Sequence, residues 1–294
     1  MRISIAVSKF STPDGAVEEL TRVARAADEG GLDTLWVPDH LLQLEPGREP
    51  HEAMFEAYTT LGYLAGQTRR IRLGTMVTGA TFRPPALLIK AVTTLDALSG
   101  GRAWLGIGTG YHQFEADAMA LPLPPLPERF ERLEETLRLA LQMWSGDETP
   151  FHGKHFRLDQ PICSPLPTTK PHPPILIGGT GEQKTLRLVA RYADACNVFD
   201  IPDGGATIRH KLEVLARHCE TENRPYSEIE KSVSTRLSPT ESPASFVDRC
   251  GALAELGLDH ISVLTADPVT EADIATLATA AAQLRGTGPE SATE

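Results

Sequence analysis

The sequence predicts an α/β fold, a closed (β/α)8 TIM barrel with an insertion before its fifth strand. Three observations carry this expectation. Eight short β-branched or apolar runs recur, at residues 3–7, 34–37, 71–77, 103–107, 175–177, 195–199, 232–237 and 260–264. Nearly all are followed by stretches with apolar residues at i, i+3, i+4 spacing, the helical period. Repeated βα units imply parallel strands joined by right-handed crossovers, and eight of them in 294 residues match the size of a closed barrel. An open doubly wound sheet fits the same counts only slightly less well.

The clearest helix follows the first strand, where Val17, Leu20, Val23, Ala24 and Ala27 make one apolar stripe opposite Glu18, Arg22 and Arg25. Further helices are predicted at residues 86–98, 129–144, 185–193, 208–219, 245–256 and 270–284. Residues 121–127 hold Pro122, Pro124, Pro125 and Pro127, which predicts an extended loop, because proline inside a helix removes a donor and clashes with the preceding turn. Residues 151–174 are rich in proline and turn formers and too long for an ordinary connection. They read as an insertion packed over one end of the barrel. The expected organisation is one domain over residues 1–285 and a small, polar, disordered tail at 286–294.

Lys and Arg total 28 against 39 Asp and Glu, a net charge of −11. Such a surface repels polyphosphates and anionic lipid, so nucleic-acid and membrane partners are not expected. No apolar run reaches the ~18–20 residues of a membrane span. The N-terminus enters a strand pattern at once, without a signal-peptide core, and the expected location is cytoplasmic. Cys163, Cys196, Cys219 and Cys250 are too scattered for a disulfide framework and include no C-x-x-C pair. His152 and His155 have ligand-like spacing but read as exposed loop histidines without a nearby cysteine or carboxylate in the sequence.

In a parallel barrel the chemistry gathers at the carboxyl ends of the strands. The second strand ends in Trp36-Val37-Pro38-Asp39-His40. His40 is the candidate proton carrier, since a histidine's ordinary pKa near ~6.5 suits neutral pH, and Asp39 is placed to bias it locally. A helix-entry pair is the structural alternative. The fourth strand ends in Gly106-Ile107-Gly108-Thr109-Gly110-Tyr111, spaced G-x-G-x-G and not as a dinucleotide fingerprint. Its side-chain-free positions suit either a flat ring lying on the backbone or tight strand–helix packing. Gly178-Gly179-Thr180-Gly181 precedes a helix and reads as an anion cradle, with Lys184 and Arg187 in reach of a further anionic group.

What is missing narrows the chemistry. The first strand lacks the His-x-His of many metal-dependent barrels, and no strand-end carboxylate pair suits a glycosidase. No strand-end lysine or Gly-x-Ser-x-Gly elbow supplies a nucleophile. A borrowed redox cofactor is the expectation that remains.

Four motifs in order then resemble the bacterial luciferase-like (LLM class) barrel superfamily, in particular its coenzyme F420-dependent oxidoreductases. They are Trp36-Val37-Pro38-Asp39-His40, Leu73-Gly74-Thr75-Met76-Val77 with Thr81-Phe82-Arg83-Pro84, Leu105-Gly106-Ile107-Gly108-Thr109-Gly110, and Pro174-Ile175-Leu176-Ile177-Gly178-Gly179. The resemblance implies a hydride exchange between deazaflavin coenzyme F420 and a small-molecule substrate. An FMN-dependent monooxygenase is the alternative enzyme, and a non-catalytic flavin-binding barrel the alternative of another class. It further implies a bulge with a non-proline cis peptide at Met76–Val77 behind the cofactor ring. The ring is then expected near Asp39, Gly108, Thr109 and Gly110, the phosphate at Gly178, Gly179, Thr180 and Gly181, and His40 facing the reacting carbon. Related sugar-phosphate dehydrogenases carry a glutamate proton donor after the Gly-Thr-Gly. Here Tyr111 holds that position, as a hydrogen-bond donor or a pocket wall. A homodimer is compatible with this reading.

Overall fold

The computed structural model describes residues 1–8, 15–45, 47–265 and 268–285. In chain order it contains β1 (Arg2–Ala6), α1 (Ala16–Glu29), β2 (Thr34–Val37), α2 (Ala57–Gln67), β3 (Arg72–Thr75), β4 (Thr78–Gly79), α3 (Pro85–Ser99), β5 (Ala103–Gly108), α4 (Gln113–Ala118) and α5 (Leu126–Ser145). Next come β6 (Phe151–His152), β7 (Arg157–Leu158), β8 (Ile175–Ile177), α6 (Thr185–Tyr192), β9 (Ala195–Phe199) and α7 (Ala206–Thr221). The chain continues through β10 (Glu230–Arg236), α8 (Pro243–Glu255), β11 (His260–Leu264) and α9 (Glu271–Leu284). The tail expected at 286–294 lies outside the described residues.

The ring closes. β1 pairs in parallel with both β2 and β11, and the far edges meet where Leu73 and Gly74 of β3 stand opposite Ala103 and Trp104 of β5. This last pairing decides for the barrel over the open sheet, giving eight parallel strand positions with helices between them. The third predicted strand, 71–77, is shorter in the structure: β3 stops at Thr75, a cis Met76–Val77 peptide follows, and beyond the predicted range β4 pairs with the carboxyl end of β5.

Inside the ring, Trp36, Trp104, Leu176 and Ala195 form a buried plug with Ala6, Met76 and Val77 packed against it. Gly74 makes this possible: a Cβ there would lie 2.7 Å from both Trp104 Cβ and Trp36 Cζ3. The outer helices bury their stripes against the outside of the ring. In α1 the buried face is Ala16, Leu20, Val23, Ala24 and Ala27, whereas Val17 is 45% exposed, one residue off the predicted stripe.

Other differences have local causes. Pro127 lies in the first turn of α5 and not in a loop, because the amides of a first turn have no intrahelical acceptor and proline costs nothing there. Helix α2 went unpredicted because Thr59, Gly62 and Gly66 dilute its apolar period, although Ala57, Leu61, Leu64 and Ala65 are buried. The 151–174 insertion carries the β6–β7 hairpin and packs on the outer helices. Glu135 of α5 accepts the Lys154 and Phe156 amides at 2.6 and 3.0 Å, Thr169 donates to Asp96 of α3 at 2.6 Å, and His172 stacks on Trp144. His155 is not a free loop histidine, since its Nε2 lies 2.6 Å from Glu131. No helix among the described residues is long and apolar enough to cross a membrane.

Candidate active site

The carboxyl ends of the strands enclose a cavity of about 960 Å³ above the tryptophan plug. Asp39, His40, Met76, Val77, Gly108, Thr109, Gly110, Tyr111, Gly178 and Gly179 all line it. Thr180 and Gly181 are not among its lining residues: the chain has turned away, and a Cβ on Gly181 would meet Thr185 Oγ1 at 2.9 Å.

His40 faces the cavity with a buried carboxylate behind it. Its Nδ1 lies 2.7 Å from Oε2 of Glu115, a fully buried residue of α4. The other oxygen, Oε1, accepts the Leu41 amide at 2.6 Å and the Leu42 amide at 3.3 Å. Burial opposes ionisation of Glu115, but the His40 bond and these amides outweigh it and lower its pKa. Tyr111 sits edge-on to His40 with ring centroids 5.8 Å apart and is 71% exposed.

Asp39 is engaged by another partner than His40. Both its oxygens are held by Arg83, at 2.5 and 2.8 Å, and Arg83 also donates to Glu56 at 2.6 Å while lying over the Tyr58 ring. Burial works against the guanidinium charge, yet the Asp39 and Glu56 contacts prevail and raise the Arg83 pKa. The strand-end pair is thus divided between two partners remote in sequence, Glu115 for His40 and Arg83 for Asp39.

The glycines serve packing before they serve any ligand. A Cβ on Gly106 would sit 1.8 Å from the Thr75 carbonyl oxygen. Cβ atoms on Gly108 and Gly178 would approach Val77 methyls to 3.0 and 2.8 Å. The glycine-flanked surface presented to the cavity is therefore the Val77 side chain, and a flat ring would rest on it and not on bare strand backbone.

After β8 the chain passes through Gly179, whose φ of +100° suits glycine, into the turn before α6. The Leu186 amide donates to the Gly181 carbonyl at 3.0 Å. The amides from Gly179 to Thr185 have no acceptor among the described residues. Lys184 lies with its Nζ 5.3 Å from the centre of the Phe130 ring. Across the cavity, buried Asn197 donates to Ser232 Oγ at 3.0 Å and accepts from Ser234 Oγ at 2.9 Å.

A family model for luciferase-like monooxygenases matches residues 1–292. The chain belongs to the luciferase-like monooxygenase family. Within this family it is 31% identical over 255 residues to an F420-dependent glucose-6-phosphate dehydrogenase of Kineococcus radiotolerans, covering 85% of this chain and 72% of the relative. Two solved structures share the luciferase-like fold at 18% identity. An F420-dependent secondary alcohol dehydrogenase bound to an F420–acetone adduct gives a TM-score of 0.79 over 95% of this chain and 98% of that one. Monooxygenase RslO1 from Streptomyces bottropensis gives 0.80 over 97% and 99%. Three site features of this luciferase-like chain escaped sequence reasoning: Glu115, Arg83 as the partner of Asp39, and the Asn197–Ser234 pair. The last pair lies inside β9 and β10, short of the strand ends to which the rule that found His40 directs attention.

Proposed function

We propose that this chain is an F420-dependent oxidoreductase that exchanges a hydride with a small organic substrate in the strand-end cavity. One observation carries the reading: His40 and the start of the glycine turn at Gly178 and Gly179 open on the same cavity. The named activity of the Kineococcus relative supports the choice of cofactor.

The residues present fit a deazaflavin. A cavity of about 960 Å³ lies at the upper end of the ~300–1,000 Å³ typical of ligand pockets. Val77 offers a floor kept clear by Gly108 and Gly178. The unpaired amides from Gly179 to Thr185, at the start of α6, suit a phosphate, and the side chains of Lys184 at the helix cap and Arg187 in its first turn are available for further anionic groups. When bound, the coenzyme supplies a ring carbon that accepts or gives a hydride.

His40 moves the proton. Glu115 takes its Nδ1, which leaves Nε2 as the nitrogen that exchanges a proton with substrate oxygen or carbon. The buried carboxylate fixes the ring orientation and stabilises the imidazolium formed in either direction of reaction. Arg83 and Asp39 hold the β2 end rigid beside it. Because Tyr111 replaces a second carboxylic acid, His40 with Glu115 is the whole proton path, and Tyr111 walls the substrate side. The same reading places the enzyme in the cytoplasm, which suits four cysteines that are all free and buried.

The test is turnover without oxygen. Under nitrogen, the enzyme is expected to change the deazaflavin absorbance when alcohols are supplied with oxidised coenzyme F420, or ketones with the reduced coenzyme. Turnover that requires air and reduced FMN would replace this reading with a monooxygenase.

A further inference from the structure

We propose that Arg236 anchors the substrate, and that the substrate is an oxyanion, a carboxylate or phosphoryl group, carried on an apolar body. This rests on the reading of the cavity as the substrate site. Arg236 ends β10 and lines the cavity. Among the described residues its guanidinium has no hydrogen bond, ion pair or ring contact.

The neighbouring charges explain why it is unmatched. Among the described residues, Asp200 and Glu241 are carboxylates that stand near the end of β10. Both are held by Arg249: its Nε and Nη2 fork onto Glu241 at 2.9 and 2.8 Å, and its Nη1 lies 3.4 Å from Asp200. Asp200 also accepts from Thr235 Oγ1 at 2.7 Å. Arg249 Nη2 further donates to the Arg236 carbonyl at 3.0 Å. The backbone of Arg236 is thus fixed while the groups that would neutralise its head are occupied. On the other side of the cavity, Asp39 is matched by Arg83 and His40 by Glu115. Glu45 is the remaining unmatched wall charge among the described residues, and it stands on the Tyr111 side.

Two apolar side chains flank Arg236 on the cavity wall. It pairs in register with Leu264 of β11, and Phe199 of β9, 53% exposed, pairs with Ser234 two positions before it. Both Leu264 and Phe199 line the cavity. An unneutralised guanidinium beside such groups, exposed at the rim of the cavity in a chain of net charge −11, offers paired N–H donors to an oxyanion.

The probes are hexanoate, hexyl phosphate, hexanamide and hexylamine, titrated by calorimetry into the protein alone and into protein loaded with coenzyme F420. One of the two anions is expected to bind at least tenfold more tightly than hexanamide, and the tighter of them identifies the group as carboxylate or phosphoryl. Arg236→Gln removes that preference, Arg236→Lys keeps part of it, and Arg236→Glu turns it toward hexylamine. An anion preference that survives Arg236→Gln in the loaded protein, or no preference in the unaltered protein, overturns the proposal. Coenzyme binding is read in the same titrations. If the coenzyme fails to bind while an Arg236-dependent preference persists in the protein alone, the cofactor reading falls and the anchor stands.

Discussion

His40 Nδ1 lies 2.7 Å from Glu115 Oε2, and the second oxygen of that carboxylate ties down the Leu41 amide at 2.6 Å. One buried side chain therefore orients the ring and closes the loop that carries it. Replacing His40 with Asn is expected to lower turnover about a hundredfold or more, with coenzyme affinity nearly unchanged. Glu115→Gln keeps an acceptor for the amides but no charge behind the ring, so turnover falls at least about tenfold while Tm stays close to that of the parent. Glu115→Ala strands two amides as well and lowers stability by about 2–4 kcal/mol in urea unfolding. Equal turnover in the parent and in His40→Asn would return His40 to a helix-entry role.

Arg83 is the cation on which two carboxylates depend. Arg83→Met leaves Asp39 buried and unpaired, and the expected loss is about 3–5 kcal/mol of stability. Arg83→Lys keeps the charge but not the two-pronged fit, and should fall between. Thermal unfolding of the three proteins checks the order. A stable Arg83→Met would mean that Asp39 finds another partner or takes a proton.

Val77 and Gly178 form a matched pair, with a Gly178 Cβ only 2.8 Å from Val77 Cγ1. Gly178→Ala is expected to displace the floor and weaken coenzyme binding about tenfold or more. Trimming the floor residue in the double variant Gly178→Ala, Val77→Ala should recover much of that loss. Simple additivity of the two changes would show that they do not act through this contact.

The residues found from sequence share one property: they stand at or just after strand ends, where the barrel rule directs attention. His40, Asp39, Gly108 to Tyr111, Gly178 and Gly179 were legible for that reason. Glu115 was not, because it lies 75 residues from His40 on the short helix α4, whose few residues show no usable period. Arg83 stands in a recognised motif, Thr81-Phe82-Arg83-Pro84, but only the folded chain shows that it takes both oxygens of Asp39. The glycines misled in a specific way. Sequence shows where side chains are missing, and it does not show that Val77 fills the space.

At the opposite end of the barrel, His260 is buried against Ser4 and Glu230. Burial lowers its pKa to about 3. The unfolded chain, with an ordinary histidine pKa near ~6.5, takes up the proton first as pH falls. Stability is therefore lost progressively from about pH 6.5 down toward 3, with about 2 kcal/mol attributable to this residue between pH 7 and pH 5. Urea unfolding of the parent and of His260→Gln at both pH values isolates the effect. Identical pH dependence in the two proteins would remove His260 as its source.

In the proposed function, the cavity takes a deazaflavin whose anionic tail runs past the phosphate toward Lys184 and Arg187. Titrating coenzyme F420 and FMN into the protein by intrinsic fluorescence, at one salt concentration, tests it most directly. We expect F420 to bind at least ~1.4 kcal/mol more tightly, a factor of about ten. Equal affinity, or a preference for FMN accompanied by oxygen consumption with a reductase, would contradict the assignment.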